Sequence, residues 1–473
     1  MSVPAPGERG ALAPRGTTSD PTLNVPRGAN APRSPSRTVL IIGGGLAGLA
    51  AAQRLAPQGF AVTILESRDR LGGRASSFTD ATTGQLIDVC QHVSMGCCTA
   101  FAQFCREIGI SQHLRRQPAL TFMTPDGRTS RFRADPCPAP FHLARSFLRA
   151  HFLTLKDKAA IARALAALRT TSPADDPPFL DWLNEQNQPQ SAIDRFWNLV
   201  LTSALNESVD RLGLRYARKV FVDAFLGDRR GFELDLPTVP LGRLYGAELL
   251  AWLQQHGVQL RLNTGVRALR IADNAASVEL RSGEKLTADW VVSAVPFDRL
   301  LDLLPAEFVD ATPYFANLRK LELSPITSVH LWYDRPIMNQ PNLVLVDCVG
   351  QWLFNRGEIA PGEHYVQVVV SAARQYRGLG HEEFQRRIIA EINALLPAAR
   401  EAKLHRARAV TEHAATFSAL PGVDQWRPRQ QSPLPNLLVA GDWTATDWPA
   451  TMEGAVRSGW LAADTMLANA CSR

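Results

Sequence analysis

A chain of 473 residues with 45% hydrophobic content can bury a large core spread over about two or three domain-sized units. It contains no uncharged apolar run of about eighteen residues or more, which excludes a readily recognised membrane-spanning helix. Half of the formal charge of +6 lies in residues 1–37, where Arg9, Arg15, Arg27, Arg33 and Arg37 face only Glu8 and Asp20, so the rest is mildly basic and nucleic acid is a poor partner.

Residues 1–36 are rich in Pro, Ala, Gly, Ser and Thr and hold no apolar block of export-signal length. They read as the disordered leader of a cytoplasmic protein. Cys90, Cys97, Cys98, Cys105, Cys137, Cys348 and Cys471 are odd in number and lack C-x-x-C spacing, which points to reduced thiols and no metal site. A reactive thiol among Cys90, Cys97 and Cys98 is the alternative.

The first stretch that carries chemistry is 38–74. Apolar runs at 39–42 and 60–65 enclose three glycines and the small-residue segment 46–55, the pattern of strand, tight turn, helix and strand. Gly43 permits the turn, Gly45 removes a side chain that would block a pyrophosphate, and Gly48 lets helix and strand pack closely. Leu46 and Ala47 open the helix, whose unpaired N–H groups and partial positive charge suit an anion. Glu66 ends the second strand, where a carboxylate accepts the ribose hydroxyls of an adenine dinucleotide. Beyond Arg68, the turn Arg70-Leu71-Gly72-Gly73-Arg74 offers a second anion-binding backbone to the same pyrophosphate. This opening resembles that of the flavin-containing amine oxidase and phytoene desaturase superfamily, and the resemblance implies FAD rather than NAD.

Residues 77–88 read as a short hairpin. The following Asp88-Val89-Cys90-Gln91-His92-Val93, with Met95-Gly96-Cys97 behind it, resembles the squalene-associated FAD-dependent desaturases, a branch understood as hydroxysqualene dehydroxylases. In the superfamily this segment passes the flavin ring, which makes His92 a candidate catalytic residue; a histidine hydrogen-bonded inside a domain interface is the other reading.

Residues 101–231 read as helical, with helices expected at 101–108, 141–155, 155–168, 179–187, 192–205 and 214–225. The superfamily inserts its substrate domain here. Phe141, Leu143, Phe147, Leu148, Phe152, Leu153 and Leu155 crowd a segment that also carries Arg145, Arg149 and Lys156. That mixture suits either an anionic membrane surface or an amphipathic lid on its own domain.

An amphipathic helix ending near Gly257, a strand at 258–262 and the turn Asn263-Thr264-Gly265-Val266 come next. The resemblance implies that the backbone at Val266 meets the adenine. A buried strand runs over 288–296 and stops at Pro296. Between 301 and 410, strands at 328–333 and 365–371 and a helix at 382–396 suggest a sheet floor under a substrate cavity, with Trp332, Trp352 and Phe354 read as core.

Leu437-Leu438-Val439-Ala440-Gly441-Asp442 is a buried strand ending in an acid, and residues 443–459 form a loop that opens a helix. By the resemblance, Gly441 and Asp442 hold the ribityl and phosphate region, and the helix near Met452 aims N–H groups at the flavin pyrimidine oxygen, whose charge grows on reduction. Thr444-Ala445-Thr446-Asp447-Trp448-Pro449-Ala450-Thr451 again resembles the squalene-associated branch. Asp447, read as buried beside Trp443 and Trp448, is the reserve proton donor behind His92.

The expected fold is α/β: a discontinuous Rossmann-like FAD-binding domain of amine oxidase type (37–100, 232–300 and 411–473) with an inserted α+β substrate domain (101–231 and 301–410). The expected cofactor-binding set is Gly43, Gly45, Leu46, Ala47, Gly48, Glu66, Arg68, Gly72, Gly73, Arg74, Val266, Gly441, Asp442 and Met452. The implied activity is reductive removal of the hydroxyl of hydroxysqualene to give squalene. It involves a hydrophobic isoprenoid substrate, an external electron donor and peripheral contact with the inner membrane face. Oxidative desaturation of a polyene is the alternative. A non-catalytic prenyl-lipid carrier is a further one, against which Glu66, Arg74 and Asp442 speak.

Overall fold

The computed structural model describes residues 37–471 apart from 82, 173–175 and 273–274. The leader expected at 1–36 lies outside the described residues.

Five parallel strands form one sheet in the order Gln259–Arg261, Ala61–Leu65, Thr38–Ile42, Trp290–Ser293 and Leu437–Val439. Val39 to Ile42 are all buried, as a central parallel strand covered on both faces requires. Register aligns the strand ends: Ile42 lies opposite Leu65 and Ser293, Leu65 opposite Arg261, and Ser293 opposite Val439. Five carboxyl ends therefore meet along one edge. The helix Leu46–Leu55 packs on this sheet through its small residues. A Cβ on Gly48 would collide with the Gly43 carbonyl, and one on Gly459 of the closing helix Met452–Cys471 would collide with the Ala47 carbonyl.

A second sheet has seven strands in the order Leu404–Phe417, Leu323–Tyr333, Glu363–Val370, Trp352–Ala360, Asn342–Leu345, Ala119–Met123 and Thr129–Arg133. Neighbours are antiparallel except the pair Asn342–Leu345 and Ala119–Met123. The helix His381–Leu395 covers it through Phe384, Ile388, Ile392 and Leu395, one stripe at helical spacing.

Three expectations need correction. The block 101–231 is not wholly helical: Ala119–Met123 and Thr129–Arg133 form a hairpin around Thr124-Pro125-Asp126-Gly127, with Gly127 at φ +78°. The expected single helix at 141–155 breaks after Arg149 and restarts at Leu155, because Thr154 and Asp157 form a reciprocal capping box. The boundary at 410 cuts the strand Leu404–Phe417, whose pairing with Leu323–Tyr333 continues to Phe417. The helices expected at 192–205 and 214–225 are present but widen into π-helical turns at Ile193–Asn198 and Val220–Gly227.

His330 sits fully buried inside the second sheet, its Nδ1 2.6 Å from the Tyr365 hydroxyl, in a stack with Trp332 and Tyr365. Burial lowers its imidazole from 6.5 to about 3, helped by the charges of Arg408 and Arg356. The unfolded chain then binds a proton that the folded chain refuses, so this contribution to stability is present above pH 6.5 and is lost as pH falls below it. The expected slope is roughly 1.4 kcal/mol per pH unit on the acid side. Urea unfolding at a series of acid pH values measures it, and the same slope in His330→Gln would refute the assignment.

Candidate active site

The carboxyl edge of the parallel sheet gathers the glycine turn, Glu66, the turn at 263–266 and Gly441-Asp442, each following directly from a strand end. Gly43 has φ +109° and a Cβ there would lie 2.9 Å from the Ala294 carbonyl oxygen. The second glycine turn folds against the first: Gly72 donates to the Gly44 carbonyl at 2.9 Å, and a Cβ on Gly73 would reach Gly45 Cα at 3.1 Å. Two backbones meet here with no side chain between them.

Glu66 organises one end of this edge. Its Oε2 accepts from the Gly44 N–H at 2.7 Å, and its Oε1 accepts from the Arg68 N–H at 2.8 Å and the Ser67 hydroxyl at 3.2 Å. Oε1 is thereby filled, whereas Oε2 keeps acceptor capacity for a ribose hydroxyl. Thr264 donates to the Glu66 carbonyl at 2.7 Å and Asn263 to the Arg68 carbonyl at 2.9 Å, which carries Val266 alongside. Arg68 Nη1 reaches the Gly73 carbonyl at 3.3 Å.

Arg74 and Asp442 close the other end. Arg74 Nη2 donates to Asp442 Oδ1 at 2.5 Å and Nη1 to the Ala415 carbonyl at 2.9 Å. Burial alone would lower the guanidinium, but the Asp442 charge and hydrogen bond outweigh it and the net direction is upward, so Arg74 stays charged. A Cβ on Gly441 would strike the Trp443 indole. Arg427, absent from the sequence reading, holds this loop from beneath. Its buried guanidinium donates to the carbonyls of Asp442 and Thr444, the former at 2.9 Å, and to Asp424 at 2.9 Å and Tyr216. No periodicity in Trp426-Arg427-Pro428-Arg429 signals that role.

The residues fit FAD on three counts. The helix Leu46–Leu55 begins without a side-chain cap or an acidic residue in its first turn, leaving its N–H groups to an anion. A Cβ would fill the cradle between Gly45 and Gly73. The Glu66 carboxylate and the charged Arg74 guanidinium stand at opposite ends of the edge, an acceptor suited to a ribose and a cation suited to a phosphate.

At the closing helix, the Met452 sulfur accepts from the Tyr245 hydroxyl at 3.8 Å. The neighbouring Glu453 is fully buried and accepts from the N–H groups of Ala100 and Phe101 at 3.1 and 2.7 Å and from Arg457 at 2.6 Å. This carboxylate locks the start of helix Thr99–Glu107 to the closing helix.

Beyond Met452 lies a mainly apolar cavity of about 190 Å³, open at its mouth, with Phe122, Leu199, Phe225, Trp352 and Trp448 in its wall. Trp352 is thus a lining residue, while Trp332 and Phe354 are core as expected. Cys97 and Cys98 also line it. The Cys97 hydrogen bond to Cys98 raises Cys97 and lowers Cys98, whereas burial raises Cys90 to about 12 and leaves it inert.

The two proton-donor candidates fare differently. His92 lines a narrow crevice that shares Ser94 and Met452 with the cavity, and its Nδ1 lies 3.1 Å from the Cys90 carbonyl. Burial pushes the imidazole below its ordinary value, with the Arg74 charge in the same direction and Cys90 and Asp88 opposing, so the ring is neutral at pH 7. Asp447 is not buried between tryptophans: its side chain is 82% exposed and paired with Arg215 at 2.7 Å. It stands at φ +58°, a turn geometry an aspartate tolerates, and that turn points the carboxyl outward.

Residues 46–467 match the family described as flavin containing amine oxidoreductase. The chain is 28% identical to 15-cis-phytoene desaturase of Synechococcus elongatus, over 91% of this chain and 96% of that protein. An oxidoreductase structure from Methanosarcina mazei is similar with a TM-score of 0.69 at 18% identity, over 91% of this chain and 100% of that one. Putrescine oxidase bound to putrescine is similar with a TM-score of 0.68 at 18% identity, over 92% and 99%. At such identities the two structures speak for the fold.

Gly45→Val is expected to fold and to purify without flavin colour, because its branched side chain enters the space facing Gly73. Visible absorbance after incubation with excess FAD is the check, and a yellow variant would contradict the cradle. With a family match over most of its length and a sheet edge shaped for an adenine dinucleotide, the chain belongs to the flavin containing amine oxidoreductase family and is an FAD-dependent oxidoreductase.

Proposed function

We propose that the protein reductively removes the hydroxyl group of hydroxysqualene to give squalene. One observation carries this reading. The two stretches that resemble the squalene-associated branch lie near opposite ends of the sequence, yet both line one cavity: Met95 and Cys97 from the first, Trp448, Pro449 and Thr451 from the second. The apolar wall supports an isoprenoid substrate.

In this reaction a C–O bond breaks, a C–H bond forms, and the hydroxyl takes a proton and leaves as water. Reduced FAD, when bound, supplies the hydride equivalent, and an external reductant restores it. The chain's own part is to exclude bulk water from a hydrocarbon pocket and to deliver a proton to the leaving hydroxyl. His92 is the proposed relay, through the crevice that adjoins the cavity at Ser94 and Met452. Because burial lowers its imidazole, the protonated fraction grows as pH falls below 6.5.

A second reading, oxidative desaturation of a polyene, is favoured by the likeness to 15-cis-phytoene desaturase. It reverses the electron flow. Anaerobic incubation of hydroxysqualene with the FAD-reduced protein, followed by mass analysis, separates them. Squalene is the expected product, with a rate that rises toward acid pH and loses that rise in His92→Gln. Unchanged hydroxysqualene, together with desaturation of phytoene by the oxidised protein, would establish the second reading instead.

Among the described residues no helix is long and apolar enough to cross a membrane. We also propose that the protein meets its substrate at a membrane surface. Phe141, Leu148 and Leu155 are 67%, 64% and 81% exposed, beside the exposed Arg145, Arg149 and Lys156. Leu143, Phe152 and Leu153, which the sequence grouped with them, turn inward to the core. Flotation with vesicles rich in anionic phospholipid is expected, and replacing the three exposed residues by serine should abolish it while FAD stays bound. Equal flotation by that variant would refute the contact.

A further inference from the structure

The cavity wall carries one ion pair that nothing described so far uses. Lys219 closes the helix Leu214–Lys219 and Asp223 lies one turn on, within the π-helical segment Val220–Gly227. Lys219 Nζ is 2.7 Å from Asp223 Oδ2, and both side chains line the cavity among apolar neighbours such as Leu199, Val220 and Phe225. The other lining carboxylate, Glu453, is committed to Ala100, Phe101 and Arg457.

The side chains are 23% and 38% exposed, so a hydrocarbon filling the cavity would take the pair out of water, which is costly unless its remaining donors and acceptors are satisfied. Trp448 meets part of that need: Lys219 Nζ lies 4.5 Å from its ring centroid. An ammonium has three donors. One points to Asp223 and one side faces the indole, which leaves donor capacity toward the cavity. The carboxylate keeps its Oδ1. A hydroxyl group both donates and accepts, so it completes both partners at once. A pure hydrocarbon completes neither, and an anionic headgroup would be repelled by Asp223.

We infer that Lys219 and Asp223 form the binding site for the single hydroxyl group of an isoprenoid alcohol inside the apolar cavity. The proposal deepens the dehydroxylase reading and rests on it for the substrate class. The hydroxyl accepts from Lys219 and donates to Asp223, while the hydrocarbon chain lies along the apolar wall. The anchor thereby selects which carbon of the chain is presented to chemistry.

The test is equilibrium binding to the FAD-loaded oxidised protein without reductant, which separates recognition from turnover. Hydroxysqualene, its methyl ether and squalene are the probes, with tryptophan fluorescence as the readout because Trp352 and Trp448 line the cavity. The alcohol is expected to bind about tenfold to a hundredfold more tightly than squalene, the range for hydrogen bonds to charged groups. The ether, which accepts but cannot donate, should fall between them. The double variant Lys219→Met with Asp223→Leu removes the pair without leaving a lone charge, and should bind all three probes alike with FAD retained. Equal binding of alcohol and squalene by the unaltered protein would overturn the site, whatever the variant's stability. So would a folded double variant that keeps the preference. A preference for the alcohol without dehydroxylation would leave the site standing and refute the proposed reaction.

Discussion

The register of the five-stranded parallel sheet is the constraint on which the rest depends. A parallel sheet places every strand's carboxyl end on the same edge, and a ligand binds where those ends and their following loops converge. Here Ile42, Leu65, Arg261, Ser293 and Val439 end together, although they come from widely separated parts of the sequence. Shifting any one strand would carry its loop off that edge. The glycines then set how closely backbones approach: Gly45 faces Gly73, and Gly459 lets the closing helix lie against the first.

Charge is handled at this edge by pairing inside the protein. Asp442 is buried and satisfied by Arg74, and its loop is held from beneath by the guanidinium of Arg427, itself paired with Asp424. Removing one partner of such a pair leaves an uncompensated buried charge, a change on the order of 3–5 kcal/mol. Glu453 performs a related task by tying two helix starts together with one carboxylate. These are positioning groups: they hold loops and helices where an adenine dinucleotide needs them.

The apolar cavity is lined in part by Met452 and Glu453, the first two residues of the closing helix. Its wall is continuous with the protein's surface through aromatic packing. Phe147 contacts Phe196 at 5.9 Å, Phe196 stacks on Phe221 at 5.5 Å, and Phe221 meets Phe225, a lining residue, at 6.0 Å. The segment bearing the exposed Phe141 and Leu148 thus packs into the same aromatic core that backs the cavity. Two π-helical turns occur in this region, and the second carries Asp223; such turns re-aim side chains that regular α-helix spacing would direct elsewhere.

The sequence by itself determined the nucleotide-binding architecture, because that part rests on local rules. Apolar runs, glycine spacing and a terminal acid each act within a few residues, so Gly43, Gly45, Gly48 and Glu66 were legible before any fold was known. Strands near 328–333 and 365–371 and the helix near 382–396 were legible for the same reason. Only the tertiary structure decided the rest. The hairpin at Ala119–Met123 and Thr129–Arg133 is a strand pair because a distant sheet edge accepts it. Asp447 points to solvent because its turn and Arg215 direct it there. Arg427 is buried because the loop at 442–446, Asp424 and Tyr216 close around it, and Lys219 and Asp223 face a cavity whose walls come from distant segments. Burial and long-range pairing depend on which segments meet, and a one-dimensional pattern carries no record of that.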